Sequence, residues 1–393
     1  MPDHNISRQC SADENIGSGK YPDAPELPVP LSGPLAWTRH DLRSSWGYTW
    51  HLNDRDISDI KHALDCFNAL GIDGDCVSTE TFPVGDLAHK LEKIAHNIHN
   101  GVGFSIIKGL HHLQCTTEDS VIVYLGLASY VADQRGIQDK RGNVLSHITS
   151  SKGWDVPVDK RHGIHSNKAL PFHNDMGCDT LALQVRQSVD SGGDTYLAST
   201  WTVFNKLLKD EPDVARTLLD PSWPVQLSCR RTRHYLAPAF ALHDGRLMAC
   251  MDPNRFGPHE NSPDGLIPAL TSDQKHALQR VCEVARSTEL RLKLETGCLL
   301  FLNNWALLHR RDAYQDDDRT CRHMVRLWLR NTQLGWAVPE PFLPPWQAAY
   351  SKGFRAKTRV YALYPMTTYV VPKYSAGSAA FIIEDSDDSE PER

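Results

Sequence analysis

The stretch HNDMGCDTLAL, residues 173–183, opens on a His and an Asp one residue apart and closes on the start of an apolar run. That run, Leu181 to Val189, reads as a strand, and the Gly192-Gly193 turn leads into a second strand over Asp194–Ala198. Working toward the C-terminus, a hairpin about His243-Asp244-Gly245 pairs Phe240–Leu242 with Arg246–Ala249. Further strands are predicted at Leu290–Leu294, Cys298–Asn303 and His323–Leu329. A helix from Ser272 to Arg286 interrupts them, with Leu278, Val281, Cys282 and Ala285 on one face.

Toward the N-terminus the period changes. Leu87, Leu91, Ile94 and Ile98 recur at helical spacing through Asp86–Asn100, and Gly101 stands where a C-terminal cap belongs. Phe104–Ile107 reads as a strand ended by Gly109, and Thr116 or Thr117 caps a second helix running to about Ala132. Helices followed by many short strands predict a mainly β protein with flanking α-helices, a sandwich or barrel.

At 393 residues the chain is long enough for two or three domains, but no repeat or long linker divides it. We therefore expect one domain over residues 31–372, a polar mobile leader over 1–30 and an acidic disordered tail over 373–393. With 40% hydrophobic and 23% charged residues the composition is that of a soluble globular protein, which excludes collagen, coiled coil and wholesale disorder. Of the net charge of −6, −5 sits in the last ten residues, so the rest argues against a broad nucleic-acid-binding surface. The apolar stretch Val121–Ala132 is too short to span a bilayer, and the N-terminus lacks the apolar core of a signal peptide. Ten Cys with no CxxC read as free thiols, which with the missing signal predicts a cytoplasmic protein.

His173-Asn174-Asp175 has the spacing with which iron enzymes begin a two-His, one-carboxylate site, the second His arriving from a distant strand. If the tripeptide is a strand, its alternation points both side chains the same way. With 19 His and 48 acidic residues, about two such tripeptides arise by chance, so this match alone leaves a solvated loop equally open. Its surroundings matter more. His309 follows the strand Cys298–Asn303, and beyond it Arg322, Met324, Arg326 and Trp328 share one face of a strand whose other face is Val325, Leu327 and Leu329. Two Arg beside Met and Trp need an anion if that face is buried, which a carboxylate ligand would supply. A surface strand with solvated Arg is the alternative.

HNDMGCDTLAL, Gly192-Gly193-Asp194-Thr195, NNWALLHRRDAY (residues 303–314) and RHMVRLWLR (residues 322–330) together resemble the taurine/2,4-dichlorophenoxyacetate dioxygenase family, from about Leu87 to Leu329. The closest likeness is to fungal members of specialised metabolism. The resemblance implies a double-stranded β-helix (jelly roll) core and the cofactors Fe(II), 2-oxoglutarate and O₂, with iron bound by His173, Asp175 and His309. It assigns the distal carboxylate of 2-oxoglutarate to Thr195 and Arg322, and an anionic group of a small-molecule substrate to Arg326. It implies C–H hydroxylation, desaturation or ring closure of a carboxylate or amino-acid-derived metabolite. A catabolic sulfonate or carboxylate dioxygenase, a Jumonji-like enzyme and a non-catalytic jelly-roll binding protein are the rivals.

Other residues have simpler readings. Cys178 is expected to be a core thiol, and His165-Ser166-Asn167 a turn stabilised by its own side chains rather than a loop facing the substrate. His234, His243, His259 and His323 lack partners at ligand spacing, and Trp154, Trp201, Trp223 and Trp305 are expected in the core. Neither a Walker-type loop nor GxGxxG after a strand occurs.

Overall fold

Side chains at the helix starts set where the helices begin. Asn53, Thr116 and Thr271 each accept a backbone N–H from three residues on, and Asp56, Asp119 and Gln274 bond back to the cap. The helices so started are α1 (Asp54–Leu70), α3 (Thr117–Val131) and α6 (Ser272–Thr288), while α2 spans Leu87–Asn100. In this computed structural model the described residues are 27–42, 47–139, 141–150, 154–227, 233–259, 262, 265–316, 321–351 and 358–369. The expected tail, and the expected leader up to residue 26, lie outside them.

The larger sheet joins β1 (Thr49–His51), β2 (Phe104–Lys108), β13 (Leu299–Asn303), β6 (Thr180–Gln187), β15 (His323–Arg330) and β3 (Gln134–Arg135) in that order. β4 (Leu145–Thr149) also pairs with β15, and every pairing but β1–β2 is antiparallel. The smaller sheet runs β12 (Leu290–Leu292), β7 (Thr195–Ser199), β14 (Leu307–Arg311), β5 (Leu170–His173), antiparallel throughout. Two hairpins, β8 (Trp223–Leu227) with β9 (Arg233–Ala237) and β10 (Phe240–His243) with β11 (Arg246–Ala249), lie between β7 and β12 in sequence. Helices α4 (Thr200–Asp210), α5 (Pro212–Leu219) and α6 pack on one another, α4 and α6 also against β7, and a short α7 (Leu343–Tyr350) follows β15. This is a double-stranded β-helix core with flanking helices.

The alternation read in β15 divides two apolar clusters. Val325, Leu327 and Leu329, each 0% exposed, join the cluster formed with α1, α2 and α3. Met324 and Trp328 face the other way, into the cluster shared with the smaller sheet. Each such aliphatic side chain contributes about 1.5–3 kcal/mol by leaving water, so the strand that carries Arg322 and Arg326 is fixed from behind. His309 follows Cys298–Asn303 on a strand of its own, β14, which the sequence reading did not delimit. None of the helices among the described residues is long and apolar enough to cross a membrane.

Candidate metal centre and cosubstrate pocket

His173 ends β5, and Asp175 stands in the turn after it, so alternation along one strand is not what aligns them. The turn is held instead by Asn304, which is wholly buried. Its Oδ1 accepts the Asp175 N–H at 2.9 Å, and its Nδ2 donates to the carbonyls of Asp175 and Cys178 at 2.8 Å each. Asn174 anchors the same turn by donating to the carbonyls of Asn304 (2.6 Å) and Leu307 (2.9 Å). The third group arrives by register: His309 on β14 lies directly opposite His173 on β5, with ring centroids 4.2 Å apart. His173, Asp175 and His309 each offer a ligand atom within 4.8 Å of the others.

The protonation states suit a cation. His173 donates its Nδ1–H to the Pro171 carbonyl at 2.8 Å, which turns Nε2 toward Asp175 Oδ1, 3.9 Å away. Burial, and then the neighbouring His173, push His309 down to about 3, so its imidazole is neutral at pH 7. Its Nδ1 is buried with no partner among the described residues. Burial works to raise Asp175, but Arg326, the two imidazoles and the Trp328 N–H outweigh it and hold the carboxyl at about 2. Two imidazoles, that of His309 neutral at pH 7, and one ionised carboxylate, with one ring nitrogen unsatisfied, form the donor set of a non-haem Fe(II) site.

Beside this cluster an inner cavity is lined by His173, Asp175, Thr195, His309, Arg311 and Arg322, among others. Arg322 donates from Nε to the Gly193 carbonyl at 3.2 Å, while its Nη1 is buried and unpartnered among the described residues. Gly193 has φ +70°, and a Cβ there would come within 2.8 Å of Arg322 Cδ, which explains glycine at that place in the Gly-Gly-Asp-Thr turn. Burial, and then the like charge of Arg311, lower Arg322 to about 10. The sequence reading did not single out Arg311, Asn304 or Gln138. Alternation from His309 along β14 was the available signal for Arg311, and two Asn within an apolar run the signal for Asn304.

An outer cavity of about 250 Å³ shares Ile164, Leu170, His173, Asp175 and Arg326 with the inner one. Its wall adds Asp159, Arg161, Lys168, Asp252 and Arg255. Arg326, expected to meet an anionic group of the substrate, lines both cavities and is already paired within the protein. Its Nη1 lies 3.1 Å from Asp175 Oδ2 and its Nε donates to Gln138 Oε1 at 2.7 Å, so the protein itself supplies the anion. A guanidinium this buried needs such a partner, and the metal-site carboxylate is the nearest one.

The remaining expectations resolve simply. Cys178 is a buried thiol, and all eight Cys among the described residues are free. His323 pairs ring to ring with His147 at 2.8 Å, and His243 is part-exposed on its hairpin. Trp154, Trp201, Trp223 and Trp305 are all buried. The turn at His165 carries a short 3₁₀ segment, Gly163–His165, whose end is closed by Ser166.

Solved structures share this architecture. An asparagine oxygenase in complex with Fe(II), 3-hydroxyasparagine and succinate aligns with a TM-score of 0.56 at 15% identity, over 72% of this chain and 93% of that one. The non-haem iron oxygenase OrfP, with Fe, succinate and 3-hydroxyarginine, aligns at 0.54 and 13% identity, over 72% and 94%. The shared architecture gives the fold; with the donor set above and the family that the sequence matches, the molecule is an Fe(II)- and 2-oxoglutarate-dependent dioxygenase. Sequence narrows it further: the model of the taurine catabolism dioxygenase TauD, TfdA family matches residues 69–328, and the chain belongs to that family. It is similar to the taurine hydroxylase-like protein SAT17 of Stachybotrys chartarum, at 30% identity over 330 residues, 80% of this chain and 84% of that protein. It is also similar to FR-33289 synthase of Streptomyces rubellomurinus, at 22% identity over 80% of this chain and 94% of that protein.

Proposed function

We propose that this oxygenase, one domain over residues 31–372, oxidises a C–H bond of a small zwitterionic or anionic metabolite, an amino acid or a carboxylate derived from one, in specialised metabolism. His173, Asp175 and His309 hold Fe(II), and Arg322 and Thr195 anchor the distal carboxylate of 2-oxoglutarate in the inner cavity. When bound, iron with 2-oxoglutarate and O₂ supplies the oxidising power for hydrogen removal, with succinate and CO₂ as co-products. The protein's part is placement. Arg326 and the Trp328 N–H, 3.0 Å from Asp175 Oδ2, keep the carboxylate ionised and oriented. Ile164 and Leu170, shared by both cavities, give the passage between them an apolar wall.

The observation that carries the substrate class is the outer chamber, which touches two of the candidate iron ligands and carries acidic (Asp159, Asp252) and basic (Arg161, Lys168, Arg255) groups together. A wall of both signs complements a molecule of both signs. The relatives act on such molecules: the asparagine oxygenase is complexed with hydroxyasparagine and OrfP with arginine derivatives. Lys168 is exposed at this chamber. Lys168→Ala should raise the substrate KM a few-fold and more weakly in high salt, since an exposed charge contributes about 0.2–1 kcal/mol. Succinate release should be screened across amino acids, their N- and C-blocked forms and neutral isosteres. A preference for the neutral or blocked compounds would reject the assignment.

A further inference from the structure

Arg311 is a buried cation to which the reading above gives no task. On β14, alternation puts Arg310 on the face opposite His309, where it stacks on the Tyr196 ring at 3.6 Å and pairs with Glu289 at 2.6 Å. Arg311 returns to the His309 side, re-aimed by the irregularity that shifts the β14–β5 register between the two. It is only 4% exposed.

Its guanidinium faces two ways. Nη2 donates to the carbonyls of Gly163 (3.3 Å), Ser166 (2.9 Å) and Lys168, closing the 163–168 segment into a cradle. That segment is also a wall of the outer chamber, through Gly163, Ile164, Ser166 and Lys168. Nε and Nη1, by contrast, are buried without partners among the described residues, as is Nη1 of Arg322. Both guanidiniums border the inner cavity and lie by the Tyr314 ring, with Cζ 5.0 Å and 5.5 Å from its centroid. Tyr314 Oη in turn donates to the Ser166 carbonyl at 3.4 Å. Two buried like charges holding unused donors form a costly arrangement that an entering carboxylate relieves.

We propose that Arg311 is a positioning residue through which a carboxylate in the inner cavity fixes the 163–168 wall of the substrate chamber. This rests on placing 2-oxoglutarate in that cavity. When the carboxylate engages Nε and Nη1, the guanidinium loses its freedom to turn, and the three carbonyls on Nη2 are held with it. By linkage the coupling is reciprocal: substrate against the fixed wall strengthens 2-oxoglutarate binding by the same factor.

The test uses full-length protein loaded with Fe(II) without oxygen, and reads backbone amide exchange over residues 163–168 together with the calorimetric Kd of 2-oxoglutarate. In the native protein 2-oxoglutarate should slow exchange there about ten-fold or more. In Arg311→Lys, which keeps the charge but lacks the fork, the Kd should stay within about three-fold while the slowing is lost. In Arg311→Met the slowing should also be lost and the Kd should rise about ten-fold. Equal slowing in native protein and Arg311→Lys, or none in the native protein, overturns the proposal; the Lys variant decides should the Met variant not fold. Arg322→Met separates the premise from the inference: it should weaken 2-oxoglutarate at least about ten-fold. Native-like affinity there removes the placement, and the coupling with it.

Discussion

Replacing Arg326 with Leu removes a guanidinium 3.1 Å from Asp175 Oδ2 and 2.7 Å from Gln138 Oε1, at a site 5% exposed. Asp175 then keeps the Trp328 N–H at 3.0 Å as its remaining neutral donor. Stripping one partner from a buried ion pair costs about 3–5 kcal/mol, because the other charge stays behind. A second route gives a compatible figure. Asp175 is held at about 2 against an ordinary 3.8, roughly 2–3 kcal/mol in favour of the ionised form, even though burial opposes it. Arg326, the two imidazoles and the Trp328 N–H together exceed that difference, since they also overcome the burial, and Arg326 is the largest of them. Iron offers Asp175 a replacement cation, so the loss should shrink to about 1–2 kcal/mol when Fe(II) is bound. Urea unfolding at pH 7, without metal and with saturating Fe(II) under anaerobic conditions, measures both numbers. A metal-free loss below about 1 kcal/mol, or a loss that iron leaves undiminished, would refute the reasoning. A fully stable variant with a selectively raised substrate KM would return Arg326 to the substrate.

Two further outcomes follow from the same geometry. Asn304→Ala strands one N–H and two carbonyls in a site with no solvent exposure, and should cost about 3–5 kcal/mol and weaken Fe(II) binding at least about ten-fold. An unchanged metal affinity would show that the 174–178 turn holds itself. Acid should unfold the metal-free protein early, because burial is the first cause lowering His99 and His165 to about 4 and His309 and His323 to about 3. Each is below the ordinary 6.5, so the unfolded chain binds more protons in that interval. Stability is therefore full above about pH 6.5 and falls toward pH 4, by up to roughly 1.4 kcal/mol per His per pH unit. A Tm that stays flat from pH 7 to pH 5 would contradict it.

The parts of this site legible in the sequence are those encoded by short-range period. The two faces of β15 could be read from RHMVRLWLR because one carries only aliphatic residues, and its buried Arg correctly called for an anion. Which residues would meet Arg326 could not be read, since Asp175 and Gln138 lie 151 and 188 positions away. β14 was missed because Arg310 and Arg311 look like solvated loop; Glu289, Tyr196 and three backbone carbonyls are what allow them to be buried in a strand. β5 was equally silent, four residues with Pro171 among them. His173 and His309 are brought face to face by register between these two inconspicuous strands, which only the closed sheet defines.

The division of labour between strand floor and chain wall has a practical consequence. Arg322, Arg326 and Trp328 stand in or next to a strand backed by a second apolar layer and Thr195 and His309 in strands of the smaller sheet, whereas the outer chamber draws most of its lining from connecting chain at 158–169 and 252–255. Exchanging the 252–255 segment, or residues 158–169 with the three carbonyls that hold Arg311 kept in place, would retune which molecule is admitted while leaving the iron ligands where they are. The fold behaves as a fixed engine with a replaceable intake.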